Sequence, residues 1–140
     1  MVKLTAGELM SYLDEVFPQM RGEFAIEDLG DMRIRTRLHV TERHLRPGGT
    51  VSGPSIFALA DVSVYMAVLA MIGREALAVT TNCSIDFMRK PAAGADLIAE
   101  CRLLKLGRVL AVGEVLIFSE GGDQPVARAS MTYSIPPVKS

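Results

Sequence analysis

The strongest feature of the hydrophobic pattern is an apolar block with abrupt edges. From Ser55 to Ile72 nearly every position is apolar, too dense for a one-sided surface helix and suited to a helix buried nearly all round. Pro54 fits the first helical position, where its missing N–H would have been unpaired anyway, which makes Ser52 or Gly53 the cap. The pattern therefore predicts a central helix over about 54–72. Near the N-terminus, Thr5-Ala6-Gly7-Glu8 has the form of a capping box, and Leu9, Leu13, Val16 and Phe17 follow at helical spacing. A first helix over about 5–17 should stop near Pro18.

Elsewhere the period drops to two. A short strand is expected around Glu23 to Asp28, then a turn at Gly30-Asp31. "MRIRTRLHV" alternates as a second strand, with Arg33, Arg35 and Arg37 on one solvated or interface face. After the helix, "ALAVTTNCSIDF" alternates with Val79, Thr81, Cys83, Ile85 and Phe87 on one face and Thr80, Asn82, Ser84 and Asp86 on the other. Pro91 and Gly94 end that run. "ADLIAECRLLKLG" and "RVLAVGEVLIFS" read as two strands joined tightly at Gly107, "GGDQ" as a turn, and "PVARASMTYSI" as the last strand before Pro136-Pro137. The order is helix, two strands, long buried helix, then four strands expected as a meander. One antiparallel sheet covering a single apolar helix, an α+β fold, is the economical arrangement.

A chain of 140 residues is a single domain able to bury a core without staples. With 49% hydrophobic and 22% charged residues it has a globular rather than a disordered balance. A net charge of −1 and the lack of Trp give no reason to expect nucleic acid or an anionic membrane as partner. The block from 54 to 72 has the length of a membrane span. Asp61 near its middle, with no second span and no strong basic flank, argues instead for the core of a soluble protein. The N-terminus lacks the form of a signal peptide. Cys83 and Cys101 have no close Cys or His neighbours and read as reduced core thiols in a cytoplasmic protein. His39 and His44 are too few and too isolated for a zinc site.

The chemistry concentrates in "RPGGTVSGPSIFALAD", residues 46–61. At the start of the helix, Gly53 presents a bare backbone, free N–H groups and a partial positive charge, suited to a carbonyl oxygen becoming an oxyanion. The same residues also serve as an ordinary loop and cap. Asp61 falls within an apolar stripe, flanked at helical spacing by Phe57, Ala58, Val64 and Tyr65. A carboxylate there is either satisfied by structural hydrogen bonds or poised as a base. Gly53 and Asp61 stand eight residues apart, roughly 12 Å at about 1.5 Å per residue. One reacting carbonyl cannot meet both from the same chain, so if both are catalytic the site is shared between two subunits.

This stretch, the order of elements, and the later "SIDFMRKPAAGADLIAECRLLKLGRVLAVGEVLIFSEGGDQPVARASMTYSI" resemble the hotdog-fold acyl-CoA thioesterases of the phenylacetate-pathway, PaaI-type family, over about residues 30–135. In that family a motif like N-P-x-G-x-x-H-G-G leads into the central helix, and an acidic residue follows eight positions after its first helix-proximal Gly. Gly49, Gly53 and Asp61 match. Arg46, Ser52 and Pro54 replace the motif's Asn, His and second Gly. The resemblance implies hydrolysis of a coenzyme A thioester with no other cofactor, in a homodimer or a homotetramer built from such dimers. Gly53 would bind the carbonyl of a thioester, Asp61 of the other subunit would activate water or attack, and Thr80 would assist. It makes Arg46 and Ser52 candidate substrate contacts, Phe57 and Tyr65 candidate acyl walls, and Arg89, Lys90, Lys105 and Arg108 candidate partners for coenzyme A phosphates. Two alternatives stand beside it: a non-catalytic acyl-CoA binding protein, supported by the three replacements, and a hotdog hydratase or dehydratase, which would call for a histidine that the central helix lacks.

Overall fold

The computed structural model describes residues 1–137. Its centre is the predicted helix, α2 (Gly53–Ile72), whose residues from Leu59 to Met71 are buried apart from Asp61. The helix is long and apolar enough to cross a membrane, yet it lies packed inside the domain. Ser52 is its cap, with its hydroxyl accepting from the Ser55 N–H at 3.3 Å. The first helix, α1 (Ala6–Val16), starts at the expected capping box. Thr5 and Glu8 each accept the other's backbone N–H.

Six strands form one antiparallel sheet: β1 (Phe24–Gly30), β2 (Arg33–Leu38), β3 (Val79–Phe87), β4 (Leu97–Leu106), β5 (Leu110–Ser119) and β6 (Ala127–Ser134), in the order β1-β2-β4-β5-β6-β3. Alternate residues point at α2, and these are the apolar ones. Ile34 and Leu38, Leu97, Ala99, Cys101 and Leu103, then Ala111, Val115 and Ile117 are all buried. This alternation fixes the register, because a one-residue slip would turn each apolar row to solvent. Gly113 lets the helix approach closely: a Cβ there would lie 3.0 Å from both methyls of Val64. The buried hydroxyls are paired. Thr36 and Ser63 share a hydrogen bond, and Ser63 also donates to the Leu59 carbonyl.

Three expectations need correction. The four strands after α2 are not a meander. Only β4, β5 and β6 follow one another, while β3 pairs with β6 at the sheet edge. The segment between β3 and β4 is no hairpin turn. It runs past the ends of β6 and β5, anchored by Met88 N–H to the Val126 carbonyl and Ala92 N–H to the Ser119 hydroxyl. The first hairpin turns one residue later than Gly30-Asp31: Gly30 still pairs with Arg33, and Met32 takes the positive φ of 60°. Finally, a bulge leaves Thr81 unpaired, with Thr80 opposite Tyr133 and Asn82 opposite Thr132. An extra residue reverses the faces beyond it. Thr80 therefore shares the half-buried inner face with Cys83 and Ile85, whereas Val79 is 54% exposed.

Candidate active site

The bulge and the sheet order bring two side chains together on Asp61. Thr80 donates its hydroxyl to Asp61 Oδ1 at 2.5 Å, and Tyr133 donates to the same oxygen at 2.7 Å. The Tyr133 hydroxyl also lies 2.9 Å from the Asp61 main-chain oxygen. Because Thr80 and Tyr133 are direct cross-strand partners, two strands fix both donors at once. Tyr133 is only 3% exposed, and its ring stacks on Tyr65 with centroids 6.0 Å apart. Tyr65 is tied down in turn through its hydroxyl to the Ala76 carbonyl at 2.8 Å. Burial, then the negative charge of Asp61, pushes the Tyr133 phenol well above its ordinary range, so it remains a proton donor. Among the described residues no hydrogen bond engages Asp61 Oδ2. One carboxylate oxygen is held, and the other is available.

Asp61 opens onto a cleft of about 340 Å³ whose apolar walls are Val16, Phe17, Val62, Tyr65, Leu77 and Val79. Gly53 lies elsewhere, in a second cleft of about 420 Å³ with Arg46, Phe87, Arg89 and Lys90. At the helix start, Pro54 has no N–H and Ser55 is capped by Ser52. Among the described residues, no hydrogen bond engages the Gly53 N–H. The two halves of the expected site are thus on different clefts of one protomer, as their spacing along α2 requires.

The remaining candidates divide by position. Tyr65 lines the Asp61 cleft; Arg46, Arg89 and Lys90 line the Gly53 cleft. Ser52 acts as the helix cap. Phe57 is exposed on α2 and lines neither cleft, so the acyl-wall role expected for it is not seen within one protomer. Lys105 and Arg108 sit at the β4–β5 hairpin and also line neither cleft. His44 is structural: the Thr41 N–H donates to Nδ1 at 2.8 Å, which leaves Nε2 to donate to Glu23 at 2.9 Å. Among the described residues no three His, Cys, Asp or Glu side chains converge as a metal site.

Residues 48–126 match the family model of the thioesterase superfamily. The chain belongs to that superfamily. Among solved structures it is 66% identical to a provisionally assigned thioesterase from Silicibacter sp. TM1040, with a TM-score of 0.92 over 98% of this chain and 95% of that one. It is 28% identical to a variant of the phenylacetic acid degradation protein PaaI from Thermus thermophilus, with a TM-score of 0.73 over 85% and 99% of the two chains. A hypothetical thioesterase from Streptococcus pneumoniae TIGR4, crystallised with coenzyme A, shares the fold at 20% identity and a TM-score of 0.74, over 97% and 100% of the chains. The six-stranded antiparallel sheet around α2 is the hotdog fold of this superfamily.

Sequence reasoning passed over two parts of this superfamily member's site. Tyr133 follows Ala127, Ala129 and Met131 on one buried row of β6. A ring with a polar tip at the end of an apolar row was the available signal, since a buried phenol needs a partner. Val16 and Phe17, at the end of α1, wall the Asp61 cleft. Their spacing gave no hint of which element α1 packs beside.

Proposed function

We propose that the protein is an acyl-CoA thioesterase working at sites shared by two copies of the chain. The observation that carries this reading is the Asp61 carboxylate at the wall of an apolar cleft, with Oδ1 held by Thr80 and Tyr133 and Oδ2 without a partner among the described residues. A carboxylate fixed in this way is oriented as a general base and needs no further rearrangement to act. The thioester carbonyl oxygen would accept from the Gly53 N–H of one subunit, aided by the positive end of α2. Asp61 of the other subunit would take a proton from water as its oxygen adds to the carbonyl carbon. Collapse of the resulting oxyanion breaks the C–S bond, and the thiolate leaves and is protonated, giving free acid and coenzyme A.

Two further features support a second copy. The far side of β3 has no strand neighbour in the sheet order, and around it Leu77 is 72% exposed, with Val79 and Phe87 at 54% each. An unpaired apolar edge of this kind invites association. The S. pneumoniae protein of the same fold, which was crystallised with coenzyme A, supports coenzyme A as the carrier. Cys83 and Cys101 are both free thiols, which accords with a cytoplasmic location.

The test is release of thiol from a panel of aliphatic and aryl acyl-CoA thioesters, with Asp61→Asn as control. The variant is nearly isosteric and can still accept from Thr80 and Tyr133, but cannot take a proton from water. Its turnover should fall by at least about a hundredfold while its melting temperature holds. Full turnover in a folded Asp61→Asn protein would make Asp61 structural, and binding without turnover by the wild type would favour the non-catalytic alternative.

A further inference from the structure

The cleft at Gly53 carries chemistry that hydrolysis alone does not call for. Arg46, Arg89 and Lys90 all line it and, among the described residues, no acidic side chain does, on a chain whose net charge is −1. Arg46 forms no ion pair with Glu42, the acid four residues before it. Among the described residues no salt bridge or side-chain hydrogen bond engages either Arg46 or Lys90. Arg89 is partly committed, donating to the Pro125 carbonyl at 2.6 Å. The Arg46 backbone is held in place by its N–H to the Thr50 carbonyl at 2.9 Å and by the Gly49 N–H to its own carbonyl at 3.0 Å. A loop braced by its backbone therefore presents a guanidinium, without a local acid, into the cleft that also holds the Gly53 N–H. The other cleft, around Asp61, has mainly apolar walls.

Building on the thioesterase reading, we propose that the Gly53 cleft is an anion subsite for the substrate, with Arg46 the residue that sets its specificity. Like-charged side chains gathered without acids repel one another, and an anion relieves that repulsion while gaining charge-assisted hydrogen bonds. The planar fork of Arg46 suits a carboxylate or phosphate in a way that lysine does not. An acyl-CoA offers this chemistry in two places, as a carboxylate at the end of a diacid acyl chain or as the phosphates of the coenzyme.

Three substrates separate these sources: glutaryl-CoA with both anions, pentanoyl-CoA with phosphates only, and pentanoyl-pantetheine with neither. For Arg46→Gln, KM should rise about tenfold or more wherever the recognised anion is present, and far less for pentanoyl-pantetheine. A rise confined to glutaryl-CoA assigns the acyl carboxylate; a rise with both CoA thioesters assigns phosphate. Arg46→Lys should recover only part of the loss, and added salt should weaken the wild type more than Arg46→Gln. If Arg46→Gln does not fold, Lys90→Gln should show a smaller shift of the same pattern. Equal losses on all three substrates, or no loss on any, would overturn the subsite. Should the wild type hydrolyse none of them, the thioesterase reading is judged separately by the wider aliphatic and aryl panel. Calorimetric titration of the same three compounds into wild type and variant then decides the subsite, with a binding loss limited to the anionic compounds supporting it.

Discussion

Tyr133 and Thr80 converge on a single oxygen of Asp61, so the carboxylate is held at one point and free at the other. Removing one donor should loosen it without emptying the site. In Tyr133→Phe the ring and its stacking on Tyr65 remain, but one hydroxyl is lost. A hydrogen bond to a charged group contributes about 1.5–3 kcal/mol, so kcat should fall roughly tenfold or more while KM moves little. A matched fall in thermal stability with kcat untouched would make Tyr133 a brace for the fold alone. Asp61 itself was legible in the sequence because a carboxylate inside an unbroken apolar run is costly. Its partners were less so. Strict alternation put Thr80 on one face with Asn82, Ser84 and Asp86, and the unpaired Thr81 puts it instead with Cys83 and Ile85. A bulge of this kind leaves no mark in a period-two pattern.

At the level of elements, the apolar block, the capping box and the two tight turns were readable because each is a local decision of the chain. Strand order was not. Whether β3 pairs with β4 or β6 depends on contacts distant in sequence, and the period-two pattern of a single strand does not name its neighbour. Two predictions belong here. Gly113 faces Val64 with no room to spare, so Gly113→Ala should cost about 1–3 kcal/mol by overpacking, read as a lower denaturant midpoint. The second concerns the tie between β2 and the start of β4. Burial works to raise the Asp96 carboxyl, but the Val40 N–H and Arg37 outweigh it and hold it below the ordinary range. A depressed carboxylate stabilises the fold above its unfolded pKa, and that stability is lost as pH falls through the folded value. Asp96→Asn should therefore flatten the acid side of a plot of melting temperature against pH and lower stability at neutral pH.

For the whole molecule, the decisive feature is that α2 carries both Gly53 and Asp61 yet delivers them to different clefts. The variant that lacks the donor has proline at position 53. In Gly53→Pro the N–H is deleted at the first helical position, where proline is favoured. Ser52 already has the extended backbone, φ −73° and ψ 154°, that a residue before proline adopts. Gly53→Pro and Asp61→Asn should each be inactive alone. If the sites are shared as proposed, one site of a mixed dimer would inherit both lesions and its twin neither. Unfolding the two variants together and refolding them as a mixture should restore about a quarter of wild-type activity, since half the dimers are mixed and each of those has one intact site. No recovery from well-folded mixed dimers would place donor and base in the same subunit. On the proposed shared-site reading, the helix makes the catalyst divisible: two broken genes, expressed together, would complement each other without exchanging any sequence.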